Sequence, residues 1–437
     1  MGHGPDFTPT LTSTPREVPS AVRNGAIAMM VIGLASFGFG LFTGADRTLA
    51  SFVINFLYWG GIAQGSLMLC VALVIVKGRW GRPLKRMAEV FSLMMVPLYL
   101  MLIVFLLAGG LEIYEWSHWT GDETWHHKVV YFDRWFFIGR QVIGLGLLIV
   151  LDLAFVRASI RSDAGVLNEQ SGYKPTGIVG FLANFDGWKG KDAEIEASQR
   201  RQTTLAPILG MVYAIVFTVV AVDMSMSLAP HWFANMFPAW YFMSCLWSGL
   251  VWLGLFSLLS RKWLGTEKLM QPSMYHDLGK LTFGLTMFWG YTAFAQYLPI
   301  WYGNMTEEIG FILLRTEHET WAPITKVMVV VCFGIPWGML LSRGLKKNPT
   351  GYLVVTSVIA VGIWLERYVV VMPSVWRGDT IPMGIPEIGT TIGFLGLFVF
   401  MTTYFLSKLP AVPFTDPFMQ PDPEHVHVVP RSRAGHH

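Results

Sequence analysis

MYHDLGKLTFGLTMFWGYTAFAQYLPIWYGN, residues Met274 to Asn304, is apolar through its middle for about the 20 residues that a helix needs to cross a bilayer. It opens with His276, Asp277 and Lys280, and it carries Tyr291, Thr292 and Gln296 farther along. A helix that only anchors gains nothing from such groups, because each polar side chain in hydrocarbon must find a partner or lose free energy. Two readings follow. Lys280 snorkels to the headgroups and the rest glue helices together, or the polar groups belong to a functional interior.

The rest of the chain has the same character. Of 437 residues, 53% are hydrophobic and only 14% charged, against about 25% charged in a soluble domain. With a mean hydropathy of +0.46, this is the composition of a polytopic membrane protein. Cys70, Cys245 and Cys332 all lie in apolar runs, with no CxxC, no CxxCH and no set of four. Iron–sulfur ligation and c-type haem attachment by this chain are therefore excluded. The first twenty residues are polar and rich in Pro and Thr, which argues against a cleaved signal peptide.

Ten apolar runs are long enough to span, at about 24–43, 50–77, 84–109, 135–157, 204–229, 237–260, 278–302, 322–342, 350–372 and 386–407. The segments between them alternate in charge. Arg16 and Arg23, the Lys77–Arg86 group, the basic residues of 158–203, then Arg261, Lys262 and Lys268, then Arg343, Lys346 and Lys347, and finally Lys408 form one set. Glu112, Glu115, Asp122 and Glu123, the neutral APHWF turn, and Glu307, Glu308, Glu317 and Glu319 form the other. The positive-inside rule places both termini in the cytoplasm. The expected organisation is an N-terminal tail (1–22), an all-α membrane domain (23–409) and a Pro-rich, disordered C-terminal tail (410–437). Within the domain, 158–203 reads as a long cytoplasmic loop, either a docking surface or mobile. Residues 110–134, with Trp at intervals, read as an outer segment along the membrane surface. Span two exits into KGRWG (Lys77–Gly81) and span six into SRKWLG (Ser260–Gly265), a faint echo four spans apart. It fits two parallel four-helix units, spans 2–5 and 6–9.

Ionisable groups inside the spans are few, and burying one costs roughly 2.5–3.5 kcal/mol even on insertion scales. Arg140, Asp223, Lys326, Glu366 and Arg367 fall in the outer third, and Glu89, Asp152, Asp277 and Lys280 in the inner third or at its edge. Gln64 and Tyr213 lie between, and His231 stands near the face of Asp223 and Ser227 at the outer mouth. One reading is a pair of polar half-channels that carry protons. The other is a set of ion pairs, Asp223 or Glu366 with Arg140 or Arg367, that lock helices together. All eleven histidines lie in loops, tails or span ends, so none is placed to ligate a membrane b-type haem. His126 and His127 are a weak outer-surface metal signal without a third ligand. No Walker sequence, dinucleotide fingerprint or nucleophile elbow is present, and nothing points to nucleic acid.

Several of these stretches resemble the NrfD family, and within it the F-type membrane subunit of alternative complex III. They are FLYWGGIAQGSLMLCV and GRWGRPLKRMAEVFSLMMVPL (Phe56 to Leu98), YFDRWFFIGR (Tyr131 to Arg140), VDMSMSLAPHWFANMFPAWYF (Val222 to Phe242), the DLGK helix from Asp277 to Asn304, and GIWLERYVVVMP (Gly362 to Pro373). The resemblance implies two four-helix bundles flanked by a first and a tenth helix, in a bacterial inner membrane. It implies a quinol-oxidising complex whose electrons run through an iron–sulfur subunit and multihaem and monohaem cytochrome c subunits to a periplasmic acceptor, beside a paralogous membrane subunit that holds the working quinol site. Where that paralogue carries a His in span two, this chain reads Ala63-Gln64-Gly65-Ser66. Glutamine can hydrogen-bond a quinol but cannot take its proton. The expectation is a subunit without its own redox cofactor and not catalytic alone, with Asp223, Glu366, Arg367, Arg140, Lys280, Asp152, Tyr213 and His231 on a proton path, and Gln64 with Asp133 as a possible or vestigial quinol site. Three rivals stand beside it: a subunit with its own quinol site, a proton-coupled secondary transporter hinted at by Pro97 and Pro336, and a purely structural anchor.

Overall fold

In a computed structural model, which describes residues 12–118 and 128–419, the apolar runs are helices: α1 (Ser20–Thr43), α2 (Ala45–Ile75), α3 (Arg82–Leu107), α4 (Arg134–Ser171), α5 (Lys191–Leu228), α6 (Phe237–Leu264), α7 (Pro272–Gly303), α8 (Ala322–Leu341), α9 (Pro349–Val375) and α10 (Ile385–Lys408). No strand occurs among the described residues. Among the described residues nine helices are long and apolar enough to cross a membrane, and the chain is an all-α, multi-pass membrane protein. The expected seventh span exists as α7, 32 residues long, but its polar residues leave its most apolar 18-residue stretch less apolar than those of the other nine.

The expected loop at 158–203 is corrected. It is a helical hairpin, in which α4 runs on to Ser171, α5 starts at Lys191, and a short helix (Gly177–Leu182) sits between them. Val166 and Leu167 are buried, and Arg161 closes the hairpin with two 2.9 Å hydrogen bonds to Glu194. Trp116, expected at the membrane surface, is instead buried against the Phe132 and Phe137 rings. Two spans are interrupted. Pro97 has no N–H for the Leu93 carbonyl, and α3 breaks at Leu93–Met94. In α8 a π-helical turn (Val330–Gly334) precedes Pro336.

Helix α2 packs on α3 and α5, α4 packs on α3 and α5, and α6 to α9 pack on one another, while α2 and α5 both pack on α6, and α2 also on α9, so the halves share an extensive seam. The α2–α6 crossing is close because both helices present glycine. A Cβ on Gly65 would stand 1.9 Å from the Cys245 carbonyl oxygen, and one on Gly249 would stand 2.2 Å from the Ser66 nitrogen. Gly65 and Gly249 are as far apart in sequence as Gly81 and Gly265, the ends of the two echo motifs, so the crossing relates equivalent positions of the two units. Helix α1 pairs with α10 at the edge, where a Cβ on Gly33 would meet the Gly393 Cα at 2.2 Å.

Arg16 bonds the Leu406 and Leu409 carbonyls, which places the start of α1 and the end of α10 on one side of the bundle, here the basic side. Arg47, bidentate to Glu387 at 2.6 Å, ties α2 to α10 on the opposite, acidic side.

Candidate functional site

Four buried polar clusters step through the bundle. Nearest the acidic side, α4 and α5 enclose Asp223, which is fully buried. Its carboxylate accepts from Tyr131 Oη (2.8 Å), Arg140 Nε and Nη2 (3.1 Å each) and Gln141 Nε2 (2.8 Å). The Arg140 guanidinium lies 3.9 Å from the Tyr131 ring centre, and its Nη1 donates to the Tyr131 carbonyl. Ser227, one turn on, donates to the Asp223 carbonyl. The aspartate is saturated, and this is the geometry of a lock.

Among α6, α7 and α9 lies Glu366 with Arg367, adjacent on α9, both buried and ion-paired. Trp289 of α7 donates to Glu366 Oε2 at 2.8 Å. Arg367 donates to Ser244 of α6 and rests 4.4 Å from the Tyr241 ring centre, while its Nε has no partner among the described residues. Tyr213 reaches toward the same region by donating to the Phe242 carbonyl.

About 27 Å along α4 from its start, by helical rise, Asp152 meets Gln64 of α2. Gln64 Nε2 donates to Asp152 Oδ1 at 2.9 Å. Both residues are buried, and Asp152 Oδ2 and Gln64 Oε1 have no partner among the described residues. No cation lies within ion-pair distance of Asp152 among the described residues. A lone buried carboxyl with spare acceptor capacity is costly to keep, and among the described buried acids Asp152 receives the fewest hydrogen bonds.

The fourth cluster, on the basic side, is the largest. Arg86 pairs with Glu89 (2.8 Å) and with Asp163, and Ser159 donates to Glu89. Lys85 and Arg82 pair with Asp416 at 2.7 and 2.9 Å, and Lys85 also donates to Gln202. Thr415 donates to Asp163 through both its backbone N–H (3.0 Å) and its hydroxyl (2.6 Å). The expectation of disorder from residue 410 onward is thus corrected for 410–419, where Ala411, Val412 and Asp416 are buried. Residues 420–437 lie outside the described residues. Burial alone would raise the Asp416 carboxyl, but Lys85 and Arg82 outweigh it and hold the group below the usual aspartate value.

The predicted site residues therefore separate. Arg140 joins Asp223, Glu366 joins Arg367, and Gln64 joins Asp152. Lys280 does not enter the interior: it is 57% exposed and pairs with Asp277 at 2.7 Å. His231 is exposed. Asp133 caps α4, accepting from the Phe136 N–H at 2.8 Å. It lies about 28 Å along that helix from Asp152, so Gln64 and Asp133 do not form one quinol site. His126 and His127 lie outside the described residues, and no group of three potential metal ligands occurs among the described ones.

Asp163, Asp416 and Arg315 were not foreseen. Arg315, buried on the helix Thr306–Thr316, donates to the Val369 and Val370 carbonyls of α9 at 2.9 and 2.7 Å. Pro373 supplies the missed signal: it has no N–H for the Val369 carbonyl, and an arginine takes that place. A scan against models of known protein families finds no match, and no curated protein matches the chain.

Proposed function

We propose that this chain is a membrane subunit, without a redox cofactor of its own, of a quinol-oxidising respiratory complex of the NrfD type, related to alternative complex III. In this reading the basic side faces the cytoplasm of a bacterium, by the positive-inside rule. Iron–sulfur and c-type haem partner subunits carry the electrons, and a paralogous membrane subunit oxidises the quinol. The chain contributes a polar route for protons beside that site. The sequence resemblance supports the family, and the Asp152–Gln64 pair supports the route.

One observation carries the proton reading: a buried carboxyl with an unpartnered oxygen, standing between the large basic-side cluster and the Glu366–Arg367 pair. Glu89 Oε1 also lacks a hydrogen-bond partner among the described residues, but Glu89 is charge-paired with Arg86, and Asp223 is saturated, whereas no ion pair includes Asp152 among the described residues. Tyr213 bridges toward Arg367. Asp223 and Arg140 act as the lock at the acidic end, and Lys280, being exposed, is left out of the route.

Purification in mild detergent tests the assignment. Co-isolation with haem c and iron–sulfur proteins is expected, and a lone, colourless chain would refute it. In the intact complex, Asp152→Asn should lower the rate of quinol-driven proton release roughly tenfold or more, while haem content stays unchanged. Unaltered proton release would remove Asp152 from the route.

A second reading, a proton-coupled secondary transporter, draws on the interruptions in α3 and α8, since discontinuous helices form substrate sites in such proteins. The residues at those interruptions, Leu93, Met94 and Val330–Gly334, carry no charge. Solute-driven proton uptake by vesicles containing this chain alone would favour it.

A further inference from the structure

We infer that the short helix Gly177–Leu182 is an interfacial anchor, inserted into the lipid at the headgroup–acyl boundary on the basic side of the bundle. Its sequence, GIVGFL, is apolar on both faces, yet only one face meets protein. Val179 and Leu182 are buried, whereas Ile178 is 63% and Phe181 73% exposed. Three residues apart, these two project from the same face. Leaving both in water forgoes the free energy of burying two large apolar side chains.

The depth of the helix identifies what covers them. Tyr173 Oη donates to the Lys408 carbonyl at 3.1 Å, at the end of α10. Gly177 sits one step closer to the membrane, its Cβ position 3.4 Å from Tyr404 Oη. Tyr404 lies one turn inside the end of α10 and is held there by Lys408 Nζ at 3.1 Å. The short helix is therefore moored at the level of the last turn of a spanning helix, and its free face continues the lipid-exposed belt. Exposed Lys174 and Lys189 flank it in sequence, which suits the anionic headgroups of a membrane surface. An apolar pair bordered by lysines at that depth fits lipid rather than a soluble partner.

The test uses the full chain in vesicles containing anionic lipid. Cys70, Cys245 and Cys332 are buried, so a thiol-reactive nitrobenzoxadiazole dye can be directed to an introduced cysteine. Dye on Phe181→Cys should be quenched by lipids bearing a nitroxide near the headgroup roughly threefold more than dye on Asp192→Cys, at the exposed start of α5. Ile178→Cys should behave like Phe181→Cys. Equal, weak quenching at 178, 181 and 192 would overturn the anchor and leave the pair as a surface for another protein.

Discussion

Asp223 and Asp152 are both buried aspartates in the same four-helix unit, and the fold treats them in opposite ways. Asp223 receives four side-chain hydrogen bonds, two of them from one guanidinium. Asp152 receives one, from a neutral amide, and one of its oxygens has no partner among the described residues. Burial alone therefore does not mark an acid as functional. What separates a structural acid from a chemically available one is how fully its acceptor sites are filled.

The contrast can be broken most directly at the saturated end. Asp223→Ala leaves the half-buried Arg140 without its counter-charge and should cost about 3–5 kcal/mol of stability in detergent-based unfolding. Removing both charges together, in Arg140→Gln with Asp223→Asn, should recover most of that loss. A single-variant cost below about 1 kcal/mol would show that the pair is not a lock.

Asp416 lies between the two extremes, paired with two cations at the edge of the bundle. Asp416→Asn should cost about 2 kcal/mol and expose the segment after Leu409 to proteolysis. Because the folded carboxyl is held below its ordinary value of 3.8, its contribution is complete above that pH and fades as pH falls through the lower folded value. The stability gap between wild type and Asp416→Asn should therefore be constant from neutral pH down to the ordinary aspartate range and close only below it. A gap that closes near neutrality would contradict the Lys85–Asp416–Arg82 arrangement.

The smallest effect is expected at Asp152. Asp152→Asn preserves the shape and the contact to Gln64, so unfolding should shift by no more than about 1 kcal/mol. A loss comparable to that of Asp223→Ala would merge the two sites into one class and remove the contrast.

The spans were readable because hydrocarbon imposes a length and a polarity that local composition reports directly. Even the pairing of two units left a trace, since Gly81 and Gly265 share their spacing with the glycines at the α2–α6 crossing. The polar interior was readable only as a set of candidates. Lys280 and Asp152 look alike in a hydropathy profile, yet one faces outward and the other inward, because helix rotation is set by packing against neighbours. The segment 158–203 looked like a loop for a related reason: its charges, such as Arg161 and Glu194, suggest solvent until the opposing helix supplies the partner.

By itself, the order of residues determined that this chain is helical, spans a membrane many times and sets a handful of acids and bases within it. Apolar length and charge asymmetry are local properties. Only the tertiary structure decided that Asp223 is saturated, that Asp152 is not, and that residues 410–419 return to seal the basic-side cluster. Those outcomes depend on contacts between residues tens to hundreds of positions apart, and such contacts exist only once the helices have packed.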